Sequence, residues 1–162
     1  MQTLQAKQLI EQVLTHLGYN FPPFVALLLG TMAQESNMGE YETQIGGGPA
    51  RGIFQMENAT FQDINDNFLA YHNELKTRIN TYKPNYTTTF NADWLIHNPK
   101  YSTAYAACSY IRHSVPHPNT PCTCDAAWPN YKTYYNGPGA AQEYQFQAKW
   151  IEFDIDSMFT NN

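Results

Sequence analysis

The feature that most constrains this chain is the run Phe24-Val25-Ala26-Leu27-Leu28-Leu29-Gly30-Thr31-Met32-Ala33, followed at once by Gln34-Glu35-Ser36. Pro22-Pro23 opens it, and proline is at home in the first turn of a helix, where its missing N–H costs nothing. A helix with this sequence is apolar nearly all round, so it belongs at the centre of the molecule with other elements wrapped about it. It is too short to span a bilayer, and Gly30 interrupts it. Its last turn is expected between Glu35 and Met38. An acid there meets apolar surroundings and the negative end of a helix. Both disfavour the carboxylate, so Glu35 is placed to stay protonated near neutral pH.

The rest of the chain supplies the wrapping. Leu9, Ile10, Val13, Leu14 and Leu17 repeat at helical spacing from Leu4 to Gly18, with Thr3 as N-cap and Gly18 as stop. A helix is expected from Asn58 or Thr60, with Phe61, Ile64, Phe68 and Leu69 on one face and Asp63 and Asp66 solvated. Short helices are expected over Leu75–Tyr82 and near Asp93–Ile96. A longer one covers Pro99–Arg112, with Tyr101, Tyr105, Cys108 and Ile111 or Arg112 along one stripe. Further helices cover Ala126–Tyr135, apart from Pro129, and Ala140–Phe159. Lys83–Thr89 reads as a linker-like loop. Residues 39–52 hold five glycines and a proline, too many for a helix. No strand-length alternation occurs. The expectation is an all-α single domain over residues 1–162, with a small loop or β-hairpin near residues 40–54.

Composition excludes several classes of function. The formal net charge of −5 and the lack of a basic stripe argue against nucleic acid and anionic membranes as partners. Hydrophobic residues at 43% indicate a globular core. No run is long enough for membrane insertion. The N-terminus lacks the basic and apolar regions of a secretory signal, so delivery beyond the cytoplasm would need another route. The aromatic content of 15% serves a core and can also line a sugar-binding cleft.

Three cysteines, Cys108, Cys122 and Cys124, cannot all pair within the chain. With His113 and His117 they have the residue types of a zinc site. However, the proline-rich run from Val115 to Pro121 holds that loop extended and keeps His117 away from both thiols. The expectation is a chain that folds without metal or cofactor. Cys108 should be buried, Cys122 and Cys124 should lie in a surface loop, and His113 should face solvent or cap carbonyls. A Cys/His enzyme built on Cys108 is the weakest functional class, because a lone cysteine on an apolar stripe is ordinarily core.

The Glu35-Ser36 pair is followed by Pro49-Ala50-Arg51-Gly52-Ile53-Phe54-Gln55. Later come Asn98-Pro99, Tyr110-Ile111 and Tyr134-Tyr135-Asn136-Gly137-Pro138-Gly139. In this order the motifs resemble the lysozyme-like lytic transglycosylases of the soluble lytic transglycosylase and goose-type lysozyme superfamily, and more closely its phage-encoded members. They span residues 35 to 139. Two departures stand out. The last motif lacks the family's Ala between Asn136 and Gly137, and the middle helix matches only loosely.

The resemblance implies a lysozyme-like fold and cleavage of the β-1,4 bond between N-acetylmuramic acid and N-acetylglucosamine. It implies peptidoglycan strands as substrate, other phage virion proteins as further partners, and action on the cell wall after virion delivery or release at lysis. Glu35 would be the general acid and base. Gln55, Tyr135 and Asn136 would line the cleft, Ser36 would cap or brace Glu35, and either Tyr105 or Tyr110 would reach the acid. Glu57 has two readings: a second carboxylate that positions water, making the protein a hydrolytic muramidase, or a helix-start acid. A lysozyme-fold virion protein that binds murein or other phage proteins without turnover is the alternative to an enzyme.

Overall fold

The computed structural model describes residues 1–85 and 91–160. Among them are seven α-helices, three 3-10 turns and no strand, so the fold is all-α. The helices are α1 (Thr3–Leu17), α2 (Pro22–Ser36), α3 (Asn58–Asn67), α4 (Asn73–Asn80), α5 (Pro99–Ile111), α6 (Cys124–Tyr134) and α7 (Glu143–Glu152). The 3-10 turns cover Leu69–Tyr71, Ala92–Leu95 and Ile155–Met158. Of the expected linker at 83–89, residues 86–89 lie outside the described residues.

Helix α2 is the axis of the structure. Every residue from Pro23 to Ala33 is buried, and α1, α6 and α7 pack against it. Gly30 is a contact point rather than a weak spot. A Cβ built there would lie 2.6 Å from Cζ of Phe146 and 2.9 Å from Cζ3 of Trp150, so α7 rests directly on the α2 backbone. The helix ends in two left-handed residues, Asn37 (φ 53°) and Met38 (φ 58°). Lys149 on α7 donates to Asn37 Oδ1 at 2.7 Å.

Several expected boundaries shift, each for a local reason. Thr3 is the first residue of α1 rather than its cap. Its hydroxyl donates to the Phe153 carbonyl at 2.7 Å and ties the start of the chain to the end of α7. Glu57 holds the N-cap position of α3, and Asn58 Oδ1 instead accepts from the Ala92 N–H at 3.0 Å. Helix α6 starts at Cys124, because the Thr123 hydroxyl accepts from the Ala126 N–H. Cys124 is therefore helical, and only Cys122 lies in the preceding loop. The expected helix over Ala140–Phe159 is shorter. It stops at Glu152, where Asp154 turns left-handed (φ 51°), and Trp150 Nε1 fixes the following 3-10 turn by donating to Asp156 Oδ1 at 2.8 Å.

The glycine-rich segment is a loop held by isolated bridges, Thr43 to Arg51 and Arg51 to Met56. Gly52 needs its φ of 78° and has no room for a side chain, since a Cβ would lie 2.5 Å from Ser102 Oγ. Arg51 Nε donates to Asp93 Oδ1 at 2.8 Å and anchors the loop to the Ala92–Leu95 turn.

Candidate active site

The end of α2, the loop after it, the end of α5 and the loop after α6 surround a cleft of about 770 Å³. Glu35 lies in its wall. The Glu35 carboxyl is surrounded by protein, and burial pushes its pKa from 4.5 up to about 7, against the opposing effect of a hydrogen bond from Tyr131. The Tyr131 hydroxyl donates to Glu35 Oε2.

Beneath the acid lies a stack of rings. Tyr131 stacks on Phe146 (5.0 Å between centroids, 23°) and on Tyr135 (6.1 Å, 20°), and Tyr135 stacks on Tyr110 (5.7 Å, 25°). The stack is buried and apolar, so it disfavours charge, and the phenols of Tyr110, Tyr131 and Tyr135 are all held well above their ordinary pKa by burial. Tyr131 therefore stays a proton-bearing donor. Its bond favours the carboxylate while the ring floor favours the acid, and the balance falls near neutral pH.

The tyrosine that reaches the acid is thus Tyr131, not Tyr105 or Tyr110. Tyr105 packs on Phe61 (4.4 Å) and donates to Asn65 Oδ1 at 2.7 Å, in the α3–α5 contact and outside the cleft lining. Tyr110 is fully buried and bonds Thr31 Oγ1 at 2.7 Å. In the sequence Tyr131 precedes Tyr135 by four residues and so shares its helical face, but that spacing alone does not point it at Glu35.

The other expected residues divide between lining the cleft and bracing its walls. Ser36 does not act on the acid. Its one hydroxyl proton is shared between the Met32 and Ile53 carbonyls, and its Oγ accepts from the Gly39 N–H at 2.8 Å, which ties the loop to α2. Gln55 lines the cleft in a left-handed conformation (φ 51°), and its Nε2 closes the turn on the Gly52 carbonyl at 2.9 Å. Tyr135 also lines the cleft, and its hydroxyl donates to the Phe54 carbonyl at 2.6 Å. Asn136 lines the cleft while its Oδ1 accepts from the Ala141 N–H and from Lys132 Nζ, holding the loop after α6 in shape. Glu57 is exposed, stands at the N-cap of α3 and lines the cleft.

Cys108 is fully buried in α5, and burial pushes its thiol well up, which disfavours the thiolate. Cys122 and Cys124 are half-buried against the core. His113 is exposed and stacks on Tyr134 (4.8 Å, 28°) rather than capping a carbonyl. Asp63 is not merely solvated but pairs with Arg112 Nη1 at 2.7 Å. Among the described residues no group of three or more His, Cys, Asp or Glu side chains is arranged to hold a metal ion.

Comparison with protein-family models, curated proteins and solved structures finds no match to this chain.

Proposed function

We propose that the protein is a peptidoglycan-cleaving glycosidase of lysozyme-like type, acting as a lytic transglycosylase with Glu35 as its acid and base. The observation that carries this reading is Glu35 itself: a carboxyl in a cleft wall, with a pKa near 7 and one phenolic partner. Such a group can both give and take a proton at neutral pH.

The proton moves in two steps. Glu35 donates to the glycosidic oxygen as the bond to the muramic C1 breaks, and the N-acetylglucosamine end leaves as an alcohol. The Glu35 carboxylate, held by the Tyr131 hydroxyl, then takes the proton from the muramic C6 hydroxyl. O6 closes on C1, a 1,6-anhydro ring forms and Glu35 is protonated again. No water enters, and one carboxyl is enough. A hydrolytic reading draws its support from Glu57, the other glutamate of the cleft lining. Membership of a phage virion or lysis system rests on the sequence motifs alone.

The first test is cleavage of purified murein in a gel overlay, which should show clearing. The pH profile is the sharper one. The first step needs the protonated acid, so kcat/KM should fall about tenfold per pH unit above about 7. Tyr131→Phe removes the bond that favours the carboxylate. The Glu35 pKa then rises further, and the alkaline limb should move to higher pH. A limb that stays in place or moves down contradicts the proton-donor role of Glu35.

A further inference from the structure

Native proteins leave few buried polar groups without a partner, so those that remain ask for an explanation. Among the described residues three buried side-chain atoms have none: Gln34 Oε1, Ser109 Oγ and Arg112 Nε. All three residues line the cleft. Gln34 precedes Glu35 on α2. Ser109 and Arg112 are one turn apart at the end of α5, on one face, and Ser109 is 1% exposed.

Arg112 is the informative member. Asp63 takes its Nη1 at 2.7 Å, while its Nε remains unpartnered. In a guanidinium the Nε–H and the adjacent Nη2–H form a side-on fork whose spacing matches the two oxygens of a carboxylate. Asp63 binds at the other nitrogen, so it fixes the plane of the group and leaves this fork for another anion. Ser109, one turn before Arg112, adds a hydroxyl, and Gln34 lines the same cleft with its amide oxygen unpartnered.

We propose that the Arg112 edge of the cleft, with Ser109 and Gln34, is a carboxylate subsite that reads the acidic substituent of the glycan. This rests on the peptidoglycan reading above and adds to it the residues that would read the carboxylate of the muramic residue. The carboxylate comes from the lactyl ether of a peptide-free muramic residue or from an attached stem peptide.

The test measures binding by calorimetry on the Glu35→Gln protein, so that ligand is not consumed. Three oligosaccharides of equal length serve as probes: neutral N-acetylglucosamine, peptide-free murein and peptide-bearing murein. One or both murein probes should bind about tenfold more tightly than the neutral one, and the probe preferred identifies the source of the carboxylate. Adding Arg112→Gln should remove the preference, so that the murein probes bind no more tightly than the neutral one. Adding Asp63→Asn instead should enlarge it, because an amide oxygen can still accept from Nη1 and hold the plane, while the negative charge that repels an incoming carboxylate is gone. A residue with only a structural role would not give these opposite signs. Should Arg112→Gln fail to fold, Asp63→Asn carries the test. Equal binding of all three probes, indifferent to Arg112 and Asp63, overturns the subsite and leaves the Glu35 reading standing. No binding to any probe overturns both.

Discussion

Glu35→Gln should leave a folded protein that cleaves murein at least 10²-fold more slowly, because general acid catalysis of this kind is worth roughly 10²–10⁴ in rate. Glutamine keeps the shape and can still accept the Tyr131 hydroxyl, so only the mobile proton is lost. A variant retaining more than about a tenth of the parent rate would show that another group gives the proton. The same substitution has a second consequence. The folded-state pKa of Glu35 stands near 7 against 4.5 for the free side chain. The folded protein therefore holds this proton more tightly than the unfolded chain. The contribution of the protonated form is whole below about pH 4.5 and is lost as pH rises through about 7. The parent should lose up to about 3 kcal/mol of stability across that window, and Glu35→Gln should not. Thermal melts at pH 4 and pH 8 check this. The variant should gain on the parent at pH 8 and match it at pH 4. Equal melting temperatures at both pH values would show that the Glu35 pKa is not raised.

The largest effect on the fold should come from Gly30→Ala. The new methyl would meet Phe146 Cζ at 2.6 Å and Trp150 Cζ3 and Cε3 at 2.9 and 3.0 Å. Both rings are fully buried in the core, and Phe146 is part of the stack beneath Glu35. Neither can yield without moving α7. Overpacking of this kind costs typically 1–3 kcal/mol, and the rigidity of the rings places Gly30→Ala near the top of that range. The melting temperature should fall by about 9 °C for a chain of this size. A helix-interior alanine otherwise stabilises relative to glycine by up to about 1 kcal/mol, so the sign of the change is itself decisive. A melting temperature that holds or rises would mean that α7 does not rest on the α2 backbone.

Much of the fold was legible in the sequence because one helix dominates it. A run of apolar residues with no polar face has a single solution in water, and Pro22-Pro23 and Glu35-Ser36 mark its two ends. Gln55, Tyr135 and Asn136, singled out from the motifs, line one cleft with Glu35. What escaped was information held between elements. Tyr131 looks like any aromatic on a helical stripe, and only packing α6 against α2 brings its hydroxyl to Glu35 Oε2. Tyr105 has the same character in sequence yet belongs to the α3–α5 contact, through Asn65. Gly30 reads as a weak point in a helix until Phe146 and Trp150 are seen over it. The early stop of α7 turns on Asp154 and on the bond from Trp150 to Asp156, neither of which carries a terminator residue such as glycine or proline. The orphaned Nε of Arg112 is of the same kind, because the chain itself does not show which edge Asp63 leaves free.

The central claim is that one carboxyl performs the whole reaction without water. Mass spectrometry of the fragments released from purified sacculi tests it most directly. The account predicts muropeptides ending in 1,6-anhydromuramic acid, with no incorporation of label when the digest is run in ¹⁸O water, and release at least about 10²-fold slower from the Glu35→Gln protein. Fragments with reducing muramic ends that carry the ¹⁸O label would contradict it. They would assign delivery of water to Glu57, whose replacement by Gln should then be nearly as damaging as that of Glu35.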